Sequence, residues 1–193
     1  MVSRNDAMKI ILIITGLPGA GKTAASSHIR KTGIPVFLTG DVIREEMKKR
    51  GMEFNNANSE RVAVEVRKEH GMDYPSRKTA EKIEKLDEEL VCVDGPRDMY
   101  EIRYFARIAM VMIAIIKSPD RVRYQRLVRA GGYKKPKSYE EFLWRANEEL
   151  KRGMKEVIGT REYEKHVIIN DSTKEEMYKK IDILIEEIRK RIK

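Results

Sequence analysis

Fifteen residues constrain this chain more than any others: Lys9 to Thr23, the run KIILIIT passing directly into GLPGAGKT. Lys9 to Thr15 is a continuous apolar stretch of strand length, rich in isoleucine and closed by glycine. Such a run reads as a parallel strand buried on both faces. Gly16, Leu17, Pro18, Gly19, Ala20, Gly21, Lys22 and Thr23 then fit the pattern of Gly, four residues and Gly-Lys-Thr. Glycines let a backbone wrap closely around phosphate oxygens with its N–H groups turned inward. The helix expected over 22–31 adds its dipole and its unpaired first N–H groups. Lys22 is placed to reach the β and γ phosphates of a nucleotide, and Thr23 to offer a hydroxyl to Mg²⁺. An ordinary glycine turn would not demand all eight positions between a buried strand and a helix. These residues read as a site for a nucleoside triphosphate with Mg²⁺, and do not by themselves choose between ATP and GTP.

Composition bounds the rest. A chain of 193 residues reads as one domain, 1–193, long enough to bury a proper core. With 41% hydrophobic and 37% charged residues it reads as a soluble protein with a dense ionic surface. Cys92 is the only cysteine, which excludes an internal disulfide and a cysteine-cluster metal site. It lies in LVCVD and reads as a small buried strand residue, so a reducing, cytoplasmic setting is expected. His28, His70 and His166 show no metal-ligand spacing. No segment approaches the roughly 18 apolar residues of a membrane span, and the early apolar run is too short for a secretory leader.

The net charge of +9 invites a nucleic-acid reading, but its distribution is local. Between 117 and 137 stand Lys117, Arg121, Arg123, Arg126, Arg129, Lys134, Lys135 and Lys137 against Asp120 alone. A solvated basic face is the plainer account. A phosphate clamp is preferred, because the arginines recur on a helix beside the triphosphate loop. Nucleic acid stays open as a less favoured partner, since Tyr124, Tyr133 and Tyr139 are the only aromatics nearby.

Further strands are expected over 36–39, 90–93, 111–116 and 167–169, with helices between them. Gly40 is expected to break the second strand ahead of a helix over 41–50. Helical patterns then run over 59–70, 76–90, 99–107, 119–129 and from 138 toward 157, with Ser138 and Glu141 as a capping box. An amphipathic helix over 174–192 closes the chain. Strands alternating with helices imply an α/β fold: a three-layer α/β/α arrangement around a five-stranded parallel sheet. Segments 40–89 and 129–150 read as excursions from that core, a helical insertion and a short lid.

Two further stretches carry chemistry. Leu90 to Asp94 is an apolar strand ending in a carboxylate, suited to hold Mg²⁺ through a water. Thr39-Gly40-Asp41-Val42-Ile43-Arg44 places an arginine in the first turn of a helix, where the dipole disfavours it unless an anion binds there. Arg97, three residues past Asp94, is expected in the same crevice.

Through GLPGAGKT, TGDVIR, VDGPR and SPDRVRYQRLVR the chain resembles the nucleoside monophosphate kinases, adenylate kinase above all. It looks closer still to an archaeal group of adenylate-kinase-related P-loop proteins also likened to dephospho-CoA kinases, a likeness that extends to GMD near 71–73 and VIIND. The resemblance implies a P-loop kinase fold. It implies that Thr39 and Arg44 contact the acceptor nucleotide and Arg97 its phosphate. Arg126 would lie over the donor base or phosphates, and Arg145, or else Arg152, would be the lid arginine. Lys22, Arg126 and Arg145 would then be the catalytic cations. The acceptor is read as a nucleoside monophosphate, AMP first. The alternatives are a hydroxyl acceptor of the dephospho-CoA kinase type, for which Asp41 is the nominated base, and a nucleic-acid-associated ATPase. The oligomeric state is left open.

Overall fold

Six consecutive buried residues at Ile10–Thr15 form the central strand β1, and every other element is placed by how it covers one face of it. The computed structural model describes residues 9–132 and 135–192, with only the backbone of Asn56; Tyr133 and Lys134, named above, lie outside them. β1 pairs in parallel with β3 (Leu90–Asp94) on one side and β4 (Met110–Lys117) on the other. The edge strands β2 (Val36–Leu38) and β5 (Glu164–Ile169) complete an all-parallel sheet of order β2-β3-β1-β4-β5.

Side chains alternate across β1. Ile10, Leu12 and Ile14 face a layer built by α1 (Lys22–Lys31) and α9 (Lys174–Ile192), with Ile29, Ile181, Ile185 and Ile188 buried against them. Ile11 and Ile13 face the opposite layer. There α4 (Tyr74–Ile83), α5 (Met99–Phe105) and α8 (Lys155–Gly159) contribute Ile83, Ile102, Phe105 and Val157. The result is a three-layer α/β fold of the P-loop kinase type. Cys92 is wholly buried in β3, and burial pushes its thiol up. A third cluster joins α2 (Thr39–Lys49), α3 (Asn56–His70) and Tyr74 through Val42, Ile43, Met47, Val62 and Val66.

The connections of β1 and β3 leave toward opposite faces, β1 into α1 and β3 into α5. Neighbouring parallel strands whose exits diverge leave a crevice between them, where ligands bind in open α/β sheets. Here the residues at that crevice are Gly16 and Asp94.

Several boundaries differ from the sequence reading. α2 begins at Thr39 rather than 41, so Gly40 is inside its first turn and Arg44 is in its second. α3 begins three residues early, because the Asn55 side chain accepts the Asn58 N–H at 2.9 Å and caps it. α4 stops at Ile83 instead of running to 90. The Lys9 ammonium donates to the carbonyls of Ile83 (3.1 Å) and Leu86 (2.8 Å), and Leu90 is committed to β3. β5 starts at Glu164, since its polar first residues pair with β4 without an apolar signal.

The helix expected toward 157 is broken. α7 (Tyr139–Glu149) passes through a wide turn, Leu150–Met154, in which Gly153 takes φ 128°, before α8. A Cβ on Gly153 would lie 2.7 Å from Cβ of Asp98 and 3.0 Å from the carbonyl oxygen of Arg97. Gly153→Ala is therefore expected to cost about 1–3 kcal/mol, from forced positive φ and this contact. A urea titration checks it; an unchanged midpoint would show that the kink yields without strain.

Candidate functional site

Three glycines of the loop between β1 and α1 are required by the protein before any ligand is considered. A Cβ on Gly16 would lie 2.4 Å from the carbonyl oxygen of Ile116, and one on Gly19 would lie 2.6 Å from that of Arg123. One on Gly21 would lie 2.3 Å from Nδ2 of Asn170. All three have positive φ, and Gly21 is the left-handed residue preceding α1. The loop is thus wedged against the end of β4, against α6 (Asp120–Ala130) and against the end of β5.

Polar side chains hold it there. Nη1 of Arg123 donates to the carbonyl of Pro18 at 3.0 Å, while Nη2 pairs with Asp120 at 2.7 Å. Nδ2 of Asn170 donates to the carbonyl of Ala20 at 2.8 Å, and Oγ of Ser118 donates to the same oxygen at 3.2 Å. Arg126 donates to Oδ1 of Asn170 at 3.1 Å, to Oγ of Ser118 at 3.0 Å and to the carbonyl of Asn170 at 3.2 Å. Desolvation lowers the Arg126 guanidinium from its usual range, with Asp171 acting the other way. Nζ of Lys22 turns onto its own loop, 2.6 Å from the carbonyl of Gly16 and 3.3 Å from that of Leu17. A cleft of about 180 Å³ runs beside the loop, lined by Gly16, Leu17, Ile116, Asp120 and Arg123.

Thr23 is exposed in the first turn of α1, and Asp94 is buried at the end of β3, in register with Ile14 and Leu38. The hydroxyl of Ser26 lies 2.7 Å from the carbonyl of Lys22 and within hydrogen-bond reach of the Asp94 carboxylate. Ser26 ties α1 to β3 across the crevice.

Thr39 is buried, with Oγ1 2.5 Å from where a Cβ on Gly95 would lie. Arg44 is exposed and bends back toward the start of α2. Its Nε donates to Oδ1 of Asp41 at 2.8 Å, and its Nη1 lies 3.6 Å from where a Cβ on Gly40 would sit. At that distance a side chain there would make ordinary contact with the guanidinium. Arg97 is exposed and pairs with Glu149, at the end of α7, at 2.8 Å. Arg145 pairs with Glu141 one turn back on α7 at 2.6 Å, and Arg152 is exposed in the wide turn. In this arrangement each of Arg44, Arg97 and Arg145 is met by a carboxylate.

The loop after β3 is built differently from the glycine loop. Thr15 donates to the carbonyl of Pro96 at 3.1 Å, and the Arg97 N–H donates to Oε2 of Glu101 at 2.9 Å. Glu101 is almost wholly buried, and its Oε1 accepts from Arg67 of α3 at 2.8 Å. This carboxylate couples α3 to the loop that carries Arg97. Burial raises its proton affinity, and Asp98 raises it further, against Arg67 and the Arg97 N–H.

Ser26, Glu101 and Asn170 carry no site role in the sequence reading, and Arg123 enters it only as one member of the basic run. Ser26 stands one turn beyond Thr23 on the same helix, and Arg123 and Arg126 share a face at i, i+3, so both spacings were visible signals. Of the basic run, Arg123 is buried and Arg126 half-buried against the loop, while Lys117, Arg121, Arg129, Lys135 and Lys137 are exposed. Tyr124 and Tyr139 pack on Phe142, with ring centroids 5.7 Å from it in each case.

Residues 15–143 match the AAA domain family. A UPF0200 protein of Hyperthermus butylicus is 36% identical over 89% of this chain and 91% of that one. The chain belongs to the UPF0200 family. Among solved structures, this UPF0200 chain is similar to TT1252 from Thermus thermophilus, with TM-score 0.64 and 20% identity over 93% of this chain and 98% of that one. It is also similar to the shikimate kinase of Bacteroides thetaiotaomicron, with TM-score 0.56 and 16% identity over 94% and 99% of the two chains. At those identities the likeness shows the fold alone. Among the described residues, no helix is long and apolar enough to cross a membrane, and no cluster of three histidine, cysteine or acidic side chains could hold a metal.

Glu101 sets a pH dependence. Its carboxyl holds a proton above the ordinary 4.5 in the folded chain, so its contribution is full below 4.5 and is lost as pH rises through the raised value. The stability of the native chain minus that of Glu101→Gln should fall as pH rises above about 4.5. Paired denaturant titrations measure it, and a flat difference would contradict the assignment.

Proposed function

We propose that this chain transfers the γ-phosphoryl group of ATP to a nucleoside monophosphate, AMP being the first acceptor to test. The observation that carries this reading is the pair Arg44 and Arg97. Arg44 lies in the second turn of α2, which follows β2, and Arg97 lies three residues past the end of β3, the strand between β2 and β1. Their partners Asp41 and Glu149 hold them in exposed ion pairs, which are worth about 0–1 kcal/mol each. An acceptor phosphate, able to take a guanidinium in two parallel charge-assisted bonds, displaces such partners at small cost.

On this reading Gly16 to Thr23 cradle the donor, and Lys22 moves from the Gly16 carbonyl to the β and γ phosphates. Arg126 contributes charge from behind the loop, and Arg145, or Arg152, comes in from the segment 129–150 as a lid. Thr39, Asp41, Arg44 and Arg97 face the acceptor, with 40–89 as its insertion in a single kinase domain, 1–193. The hydroxyl of Thr23 and the carboxylate of Asp94, both hard oxygen donors, fit Mg²⁺, with Asp94 acting through a water. Bound there, Mg²⁺ neutralises charge on the β and γ phosphates. A phosphate acceptor is already ionised and needs no general base, so positioning and charge are what the residues must supply. One buried cysteine fits a cytoplasmic setting.

A second reading, a kinase acting on a small-molecule hydroxyl of the dephospho-CoA kinase type, is supported by Asp41 at the start of α2. The fold likeness to a shikimate kinase supports it too. A nucleic-acid-associated ATPase is supported less, because Arg123 and Arg126 are turned onto the loop.

Incubation with ATP, Mg²⁺ and a panel of nucleoside monophosphates and dephospho-CoA, following ADP and the phosphorylated product together, tests the proposal. Lys22→Met should lower kcat/KM by roughly 10²–10³. Asp41→Ala separates the two readings: a monophosphate kinase loses acceptor affinity, whereas a hydroxyl kinase loses roughly 10²–10⁴ in kcat. ATP hydrolysis with no phosphorylated product would overturn both.

A further inference from the structure

The carbonyl groups of the glycine loop are tied down by side chains from elements remote in sequence. The Ala20 carbonyl accepts from Nδ2 of Asn170 and Oγ of Ser118, and Nη1 of Arg126 lies 3.5 Å away. The Pro18 carbonyl accepts from Nη1 of Arg123. These peptides are trans, and a planar trans peptide points its C=O and its N–H in opposite directions. Holding the Ala20 oxygen toward β5 therefore aims the Gly21 N–H away from β5. Holding the Pro18 oxygen toward α6 likewise aims the Gly19 N–H away from α6.

We propose that Asn170 and Arg123 are positioning residues for triphosphate binding, which act by locking the Ala20–Gly21 and Pro18–Gly19 peptide planes so that both N–H groups face the phosphates. This rests on the reading of Gly16 to Thr23 as a triphosphate cradle. Both side chains are built for the task. Asn170 is 3% exposed, and its amide is oriented without ambiguity: the Ala20 carbonyl requires a donor, and the Arg126 guanidinium requires an acceptor. Arg123 is also 3% exposed, held between Asp120 and the face of Phe142, with its guanidinium carbon 4.8 Å from the ring centroid. Neither residue needs to touch the nucleotide. Each removes orientations that the loop would otherwise have to give up on binding, which is how a preorganised set of donors gains affinity.

The test compares the native chain with Asn170→Ala and Arg123→Met. The second keeps the packed volume and leaves the Pro18 carbonyl and the half-exposed Asp120 without their partner. Titration calorimetry with ATP and with tripolyphosphate, which has the phosphates and no base, reads the cradle directly. The thermal midpoint without ligand reads folding. Each variant is expected to bind both probes roughly ten- to hundredfold more weakly with a midpoint that still reports a folded chain. In turnover assays the donor KM rises while the acceptor KM stays. Unchanged tripolyphosphate affinity in folded variants overturns the proposal. If Asn170→Ala fails to fold, Ser118→Ala, which removes the hydroxyl shared between the Ala20 and Asn170 carbonyls, must still weaken tripolyphosphate binding severalfold, and unchanged binding overturns it. Failure of the native chain to bind either probe would instead overturn the cradle reading beneath it.

Discussion

The close approach of one loop to three neighbours governs this molecule. Gly16, Gly19 and Gly21 let the backbone lie against Ile116, Arg123 and Asn170 with no space for a side chain. A loop held on three sides has few conformations to lose when an anion arrives. The glycines commonly credited to phosphate contact are here already required by the protein. Their cost in unfolded-chain entropy is met by a sheet whose central strand is buried along its length.

The loop after β3 follows another rule. In the loop after β3 both ends of the Pro96–Arg97 peptide are satisfied inside the protein, the carbonyl by Thr15 and the N–H by Glu101. That loop offers a side chain, Arg97, rather than backbone donors. Arg44 is offered in the same way from α2. One ligand is thus expected to be met by rigid backbone N–H groups and the other by exchangeable guanidiniums. Under the proposed function, a rigid donor site beside a responsive acceptor site would suit a reaction in which two anionic molecules must be brought together.

Glu101 and Gly153 connect these halves to the rest of the chain. Glu101 links α3 of the insertion to the Arg97 N–H, and Gly153 seats the turn after α7 directly over Arg97 and Asp98. Glu149, just before that turn, holds the Arg97 guanidinium. A movement of α7 would therefore be felt at Arg97 without any contact between α7 and the phosphate loop.

Local sequence determined the strands, the glycine loop and the first helix, because an unbroken isoleucine run and a Gly-rich octet have few alternatives. It determined the parallel α/β class by simple alternation of elements. It also singled out the stretches around Asp94, Arg44 and Arg97, which lie at or just beyond the C-terminal ends of β3 and β2. Tertiary structure decided what depends on partners far away in the chain. Lys9 capped the end of α4, and the approach of Arg97 and Asp98 to Gly153 broke a helix whose own pattern continued. Thr39 and Gly40 joined α2, and the Arg44 guanidinium folds back one turn onto Asp41. Above all, the buried contacts of Asn170 and Arg123 on the loop's carbonyls could not be read from spacing. A side chain reaching across 105 residues, as Arg123 does to Pro18, leaves no local periodicity to detect.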